Sequence, residues 1–233
     1  LYFDYEVKEL SMLINYSKNM KKYKKYIFLS LLRRAMIRKI PYSRMNIKWE
    51  EIVKLRDEEY SYLKYKRRRA YHNKNFLYHI LDNIENYNNS IFNNKKQNKA
   101  YQTDALKLLK NIKENIDLIY IDPPYPSTMN KYNEFYGAFD KMMGKEKEYI
   151  NYAGKHQFLK YMKEIIKISK NKIKYAVISL NNKSNPTAED IREVLKNEVI
   201  EIEILNKNHV YQITGKENKK TNYEILIICK LKE

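Results

Sequence analysis

Apolar positions recur at helical spacing through most of the first hundred residues. Leu10, Leu13 and Ile14 mark one face of a helix within residues 1–19. Residues 24–40 set Tyr26, Leu29, Ser30, Ala35 and Ile37 among Arg33, Arg34, Arg38 and Lys39, a helix that Pro41 ends. A short helix follows at residues 49–55, then a stretch at 57–72 rich in charge and tyrosine. Phe76, Leu77, Ile80, Leu81, Ile84 and Ile91 give residues 76–92 an amphipathic helical pattern. The asparagine-rich residues 93–98 read as a loop.

From residue 99 the pattern changes to short apolar runs between helices. Residues 99–102 are expected as a short strand leading to Asp104, and residues 105–113 as a helix. Residues 116–121 form an apolar run of strand length, and 126–150 a polar, tyrosine-rich loop. Phe158, Leu159, Met162, Ile165 and Ile166 predict a helix over 155–170, and residues 175–180 a second strand. Thr187 is the expected N-cap of a helix over 187–196, with Asp190 at the capping-box position. Two more strands, 199–205 and 223–230, are joined by the polar loop 212–222. Strands alternating with helices predict an α/β domain with a doubly wound sheet. Residues 30–98 then read as a helical insertion on an α/β body made of 1–29 and 99–233.

The chemistry concentrates at Asp122-Pro123-Pro124-Tyr125, which directly follows the run at 116–121. An acid, two prolines and a tyrosine at the mouth of a strand suit the grip of a planar base that carries an exocyclic amine. The carboxylate accepts a hydrogen bond from the amine. The prolines lack N–H and fix φ, so a neighbouring backbone carbonyl can face the same amine. The tyrosine can stack on the base, as aromatics do with extruded or single-stranded bases.

On these residues the chain resembles the DNA amino-methyltransferases, in particular the adenine-specific enzymes of restriction–modification systems. The stretch from Thr103-Asp104-Ala105-Leu106 to Tyr125 resembles that family's acid–helix–strand–tetrad unit. Leu31-Leu32-Arg33-Arg34-Ala35 and Lys66-Arg67-Arg68-Arg69-Ala70-Tyr71-His72-Asn73 resemble a subgroup of it. The resemblance implies a Rossmann-like class I methyltransferase sheet closed by an antiparallel strand pair. It implies S-adenosylmethionine as cofactor, with Asp104 and Asp122 beside it, and Asp122, Pro123, Pro124 and Tyr125 as the catalytic group. It also implies a helical insertion that recognises double-stranded DNA, with a cognate restriction endonuclease as companion.

Asp104 is equally suited to capping the helix that follows it. Lys64, Lys66, Arg67, Arg68 and Arg69, interleaved with Tyr62, Tyr65 and Tyr71, are expected to spread around a helix that lies on phosphates. Arg33 and Arg34, with Arg38 and Arg44, form a second basic set, and His72 reads as a contact residue or a satisfied structural histidine. Tyr132, Phe135, Tyr136 and Phe139 either line the base pocket or pack their loop down, and Asn181, Asn182 and Lys183 end a strand at the same sheet edge. Glu224 reads as a polar residue that opens the last strand.

The family's Gly-rich turn of F-x-G-x-G type is not in this sequence, whose four glycines are Gly137, Gly144, Gly154 and Gly215. The expected sheet is therefore incomplete at its N-terminal side, with its first strands outside this sequence or supplied by another chain. A degenerate relative is the other reading. The alternatives to adenine methylation are methylation of the cytosine amine, where Ser more often stands in place of Asp122, and a noncatalytic DNA-binding role. RNA or protein amide methylation is a further alternative, the latter usually with Asn before Pro-Pro.

Composition changes this picture little. The 233 residues carry 46 Lys and Arg against 28 Asp and Glu, a formal charge of +18 that favours a polyanionic partner. An AT-rich coding sequence also enriches Lys, Asn, Ile and Tyr, and 23 tyrosines fit that bias. The one cysteine, Cys229, lies in an apolar run and forms no internal disulfide. Four scattered histidines and no paired-cysteine spacing predict no metal site. No long apolar span or secretory segment appears, so a cytoplasmic protein is expected.

Overall fold

The run at 116–121 forms a strand, β1 (Ile116–Ile121), in a sheet built from the C-terminal half of the chain. The computed structural model describes residues 1–43, 45–126, 132–144, 154–209 and 222–233, with the backbone alone for 132–136. β1 runs parallel to β2 (Ile173–Asn181), with Ile121 opposite Ile178. β4 (Tyr223–Lys230) lies antiparallel to β2, with Asn181 opposite Glu224, and β3 (Glu201–Asn208) lies antiparallel to β4. The sheet order is β1-β2-β4-β3.

β2 is the most deeply covered strand, as a central strand with neighbours on both sides should be. Ala176, Ile178 and Leu180 are fully buried on it, as are Ile227 and Cys229 on β4. They pack with Phe158, Met162, Ile165 and Ile166 of α8 (Lys155–Ser169), with Ile191 and Leu195 of α9 (Ala188–Leu195), and with Leu109 of α6 (Ala105–Asn111). Each Leu, Ile, Phe or Met side chain among them contributes about 1.5–3 kcal/mol by leaving water. The thiol of Cys229, with no polar partner in this core, is pushed up to about 11 by burial. Thr187 caps α9 as its sequence predicts, accepting from the Asp190 backbone at 3.2 Å while Asp190 Oδ2 accepts from the Thr187 N–H at 2.9 Å.

The chain divides into two compact units, one of residues 98–130 and 148–233 and the other of residues 1–97 and 131–147. The second is helical: α1 (Asp4–Lys18), α2 (Lys22–Arg38), α3 (Trp49–Arg56), α4 (Glu58–Tyr65), α5 (Phe76–Asn89) and α7 (Tyr132–Met142). Leu10 of α1, Leu32, Ala35 and Met36 of α2, Ile52 of α3 and Phe76 and Ile80 of α5 form one buried cluster, against which Ala138 and Phe139 of α7 pack. The Tyr2 hydroxyl donates to the Met36 carbonyl at 3.0 Å. Residues 1–29 thus share the core of the helical unit.

A buried ionic network ties three helices of this unit. Glu6, at the start of α1, accepts from the Phe3 N–H at 3.0 Å and so holds its own helix terminus. Its two oxygens take a fork from Arg56 at 2.8 and 2.6 Å, and one also meets the Lys39 ammonium at 2.7 Å. Glu6 and Lys39 are fully buried and Arg56 is 3% exposed. Lys39 also donates to the Lys74 carbonyl. Burial alone would raise the Glu6 carboxyl, but its bonds to Arg56, Lys39 and Phe3 outweigh this and hold it below its ordinary value.

Two elements differ from the sequence reading. Residues 99–102 form no strand; they are exposed and irregular. The expected loop over 126–150 contains α7 instead, because Phe139 with its neighbours repeats at helical spacing and buries against the helical unit's core. Arg44, Gly215 and most of the loop 212–222 lie outside the described residues. Among the described residues no helix is long and apolar enough to cross a membrane.

Candidate active site

Asp122 follows the last residue of β1, so the tetrad sits at the carboxyl end of the two parallel strands, where open α/β sheets offer their crevice. Asp122 and Pro124 are exposed, and Pro123 and Tyr125 half-buried. Pro126 is buried, and its carbonyl accepts from the Asn185 N–H at 3.3 Å, which ties the segment after β1 to the turn after β2.

The ring of Tyr125 packs on the core while its hydroxyl reaches across two strands. It donates to Glu224 Oε2 at 3.3 Å and lies 3.1 Å from Ser179 Oγ. With its one proton given to Glu224, the phenol oxygen accepts from Ser179. Register brings these partners together. Ser179 and Asn181 share one face of β2, and Glu224, the second residue of β4, stands directly opposite Asn181. Burial pushes the Tyr125 phenol up to about 12; the Ser179 bond opposes this, and the charges of Glu224 and Asp122 add to it. Burial also raises the Glu224 carboxyl, opposed by Tyr125 and His209 and reinforced by Asp122. Tyr125 therefore remains a hydrogen-bond donor throughout the neutral range.

Asp104 caps α6, accepting from the Lys107 N–H at 3.0 Å, while its second oxygen lies 3.5 Å from the hydroxyl of Tyr161 on α8. The asparagines at the end of β2 shape the rim. Asn181 Oδ1 accepts from the Lys183 N–H and the Ser184 hydroxyl, and Asn182 Oδ1 from the Tyr223 N–H.

The basic residues belong to the helical unit. Lys66, Arg67, Arg68 and Arg69 do not wind around a helix: α4 ends at Tyr65, Lys66 takes a left-handed conformation (φ 54°), and the next three are irregular. The physical reason is the left-handed C-terminal stop, which turns the chain out of the helix. Tyrosines brace this segment, with Arg68 over the Tyr62 ring at 5.4 Å and Arg69 over Tyr42 and Tyr65 at 5.3 and 5.4 Å. Lys66, Arg67 and Arg68 remain exposed. Arg33 and Arg34 are exposed on α2, where Arg34 Nε donates to Asn83 Oδ1 at 3.0 Å. His72 is structural: Nδ1 lies 2.7 Å from the Arg38 carbonyl, which can only accept, so this nitrogen carries the proton. Burial lowers its pKa. Phe139 packs on the helical core; the side chains of Tyr132, Phe135 and Tyr136 lie outside the described residues.

Sequence reasoning missed Ser179, Tyr161 and the role of Glu224. Tyr125 and Glu224 are 99 residues apart, and only strand register brings them together.

The sequence pattern of the D12 class N6 adenine-specific DNA methyltransferases matches residues 7–213. Over 231 residues, 97% of its length, the chain is 42% identical to the Type II methyltransferase M2.HphI of Haemophilus parahaemolyticus, of which it covers 68%. Over 159 residues, 62% of its length, it is 28% identical to the modification methylase StsI of Streptococcus sanguinis, of which it covers 23%.

Proposed function

Because the chain belongs to the D12 class N6 adenine-specific DNA methyltransferase family, we propose that it moves a methyl group from S-adenosylmethionine to the exocyclic amine of an adenine extruded from duplex DNA. A cognate restriction endonuclease is its companion in a Type II restriction–modification system. The observation that carries this reading is the Asp122-Pro123-Pro124-Tyr125 turn at the carboxyl end of β1, with the Tyr125 ring held by its hydroxyl.

The amino nitrogen of adenine is a poor nucleophile because its lone pair is delocalised into the ring. Asp122 and the Pro123 carbonyl accept its two N–H bonds, which favours a pyramidal nitrogen with a localised pair. Asp122 can then take up the proton that the methylated amine releases. Tyr125 stacks on the base, and extrusion is needed because the amine is paired inside the duplex. Position supplies most of the rate. When bound, S-adenosylmethionine supplies an electrophilic methyl group. Asp104, beside its adenosine part, and Asp122 would hold it, and the fit rests on charge, since its sulfonium is cationic and the Asp122 carboxylate is exposed at the end of β1.

The test is transfer of label from S-adenosylmethionine to duplex DNA by the full-length protein, followed by digestion to nucleosides. N6-methyl-2′-deoxyadenosine is the expected product. Label in N4-methyl-2′-deoxycytidine, or binding of DNA with no transfer, would turn the reading towards the alternatives.

The helical residues 30–98 are proposed to recognise the target, with Lys66, Arg67, Arg68 and Arg69, and Arg33 and Arg34, against phosphates. Lys66 and Arg68, exposed and set over the Tyr62 ring, suit that work, because they give up little side-chain freedom on binding. Replacing Lys66, Arg67 and Arg68 together with alanine is expected to weaken duplex binding. It should also flatten the dependence of log K on log salt by about 0.9 for each phosphate that is no longer neutralised. Fluorescence anisotropy over a potassium chloride series measures this, and an unchanged slope would remove these residues from the interface.

A further inference from the structure

We propose that Glu224 and Ser179 are positioning residues, which hold the Tyr125 hydroxyl from two strands and so fix the plane on which the extruded adenine stacks. This rests on the base-stacking reading of Tyr125. A tyrosine ring has a soft, roughly two-fold χ2, so packing at one edge leaves its plane free to rock. Pinning the hydroxyl sets χ1. A phenol's hydrogen bonds also prefer the plane of the ring, so one bond donated and one accepted set χ2 as well. Glu224 on β4 accepts the hydroxyl's hydrogen bond at 3.3 Å and Ser179 on β2, 6% exposed, approaches at 3.1 Å. The two anchors stand on adjacent, directly paired strands and cannot drift apart without breaking the β2–β4 ladder. A base resting on that ring inherits its orientation, and a displacement near 1 Å costs about a hundredfold in rate.

Among the described residues, the charged groups that act on this pair are Asp122 and His209. Glu224 faces Tyr125 and feels Asp122 and His209, and Tyr125 feels Asp122 and Glu224. Glu224 therefore has two routes to influence transfer: through the ring, or through the field on Asp122. A double-mutant cycle separates them. Tyr125→Phe keeps a stacking ring and loses both bonds; Glu224→Ala removes one anchor. With the full-length protein, S-adenosylmethionine and saturating duplex, each is expected to lower kcat by about ten- to a hundredfold. KM for DNA should stay within about threefold, since binding of the duplex is not what is lost. In the Tyr125→Phe background, Glu224→Ala should lower kcat no further. Glu224→Gln, which keeps an acceptor, should restore most of the rate. With 2-aminopurine as the target base, emission quenched by the ring in the native protein should brighten in Tyr125→Phe and Glu224→Ala alike. Ser179→Ala, the loss of one hydroxyl, replaces Glu224→Ala in the cycle if the latter folds poorly.

Equal losses from Glu224→Ala in both backgrounds, or an undiminished kcat with Tyr125 present, would overturn the proposal. If Asp122→Ala keeps full activity, the catalytic reading itself fails. If Asp122→Ala is inactive while the cycle is additive, only the positioning role falls.

Discussion

Asp122→Ala is expected to lower methyl transfer by about 10²–10⁴-fold, the range of a positioned group that orients a nucleophile and takes its proton. The side chain is exposed at the end of β1, so its loss opens no cavity and should leave the thermal midpoint nearly unchanged. Asp122→Asn is a finer probe. Its amide oxygen can still accept one N–H from adenine, but it carries no charge and cannot take up the proton. A loss between those of the native protein and the alanine variant is expected. Single-turnover transfer on saturating duplex reads the chemical step directly. A rate for Asp122→Ala within threefold of the native protein would remove the residue from the mechanism.

The second large effect lies far from this chemistry in sequence. Replacing Glu6 with glutamine should destabilise the protein by about 3–5 kcal/mol, because it leaves the buried cations of Arg56 and Lys39 with no carboxylate between them. The forked bonds at 2.8 and 2.6 Å and the cap on the Phe3 N–H are weakened in the same step. Urea unfolding should show a lower midpoint with the slope retained. The native protein should add a pH signature. The folded Glu6 carboxyl lies below its ordinary 4.5, so it binds a proton less readily folded than unfolded. Its contribution is present above that value and drains away as pH falls through the folded pKa. The Glu6→Gln variant should lack that part of the acid limb. A loss of stability under about 1 kcal/mol would mean that water or a rearranged Lys39 satisfies the cations.

The sheet was legible where burial writes a one-dimensional pattern. The runs at 116–121, 175–180 and 223–230 and the capped helix after Thr187 all appear as their residues predict. Boundaries failed where local chemistry overrode periodicity. Lys66 turns left-handed and unwinds a basic stretch that reads as helix, and residues 99–102, exposed throughout, have no neighbour to pair with among the described residues. The tetrad was legible because its four residues are contiguous. Its supports were not: Ser179 and Glu224 reach Tyr125 through register, and register depends on pairings that no local window contains. The Glu6–Lys39–Arg56 network was hidden for the same reason, since nothing near Glu6 distinguishes it from the exposed acids of other helix starts.

The interleaving of the two units has a consequence for dissection and for synthesis. The chain passes from the helical unit to the sheet unit after residue 97, returns after 130, and leaves again after 147. No single proteolytic nick can therefore release both pieces whole. A cut near residue 97 would strip Ala138 and Phe139 from the cluster they complete. On the ribosome, the helical half must wait for those residues to emerge, with β1 and its tetrad already outside the exit tunnel.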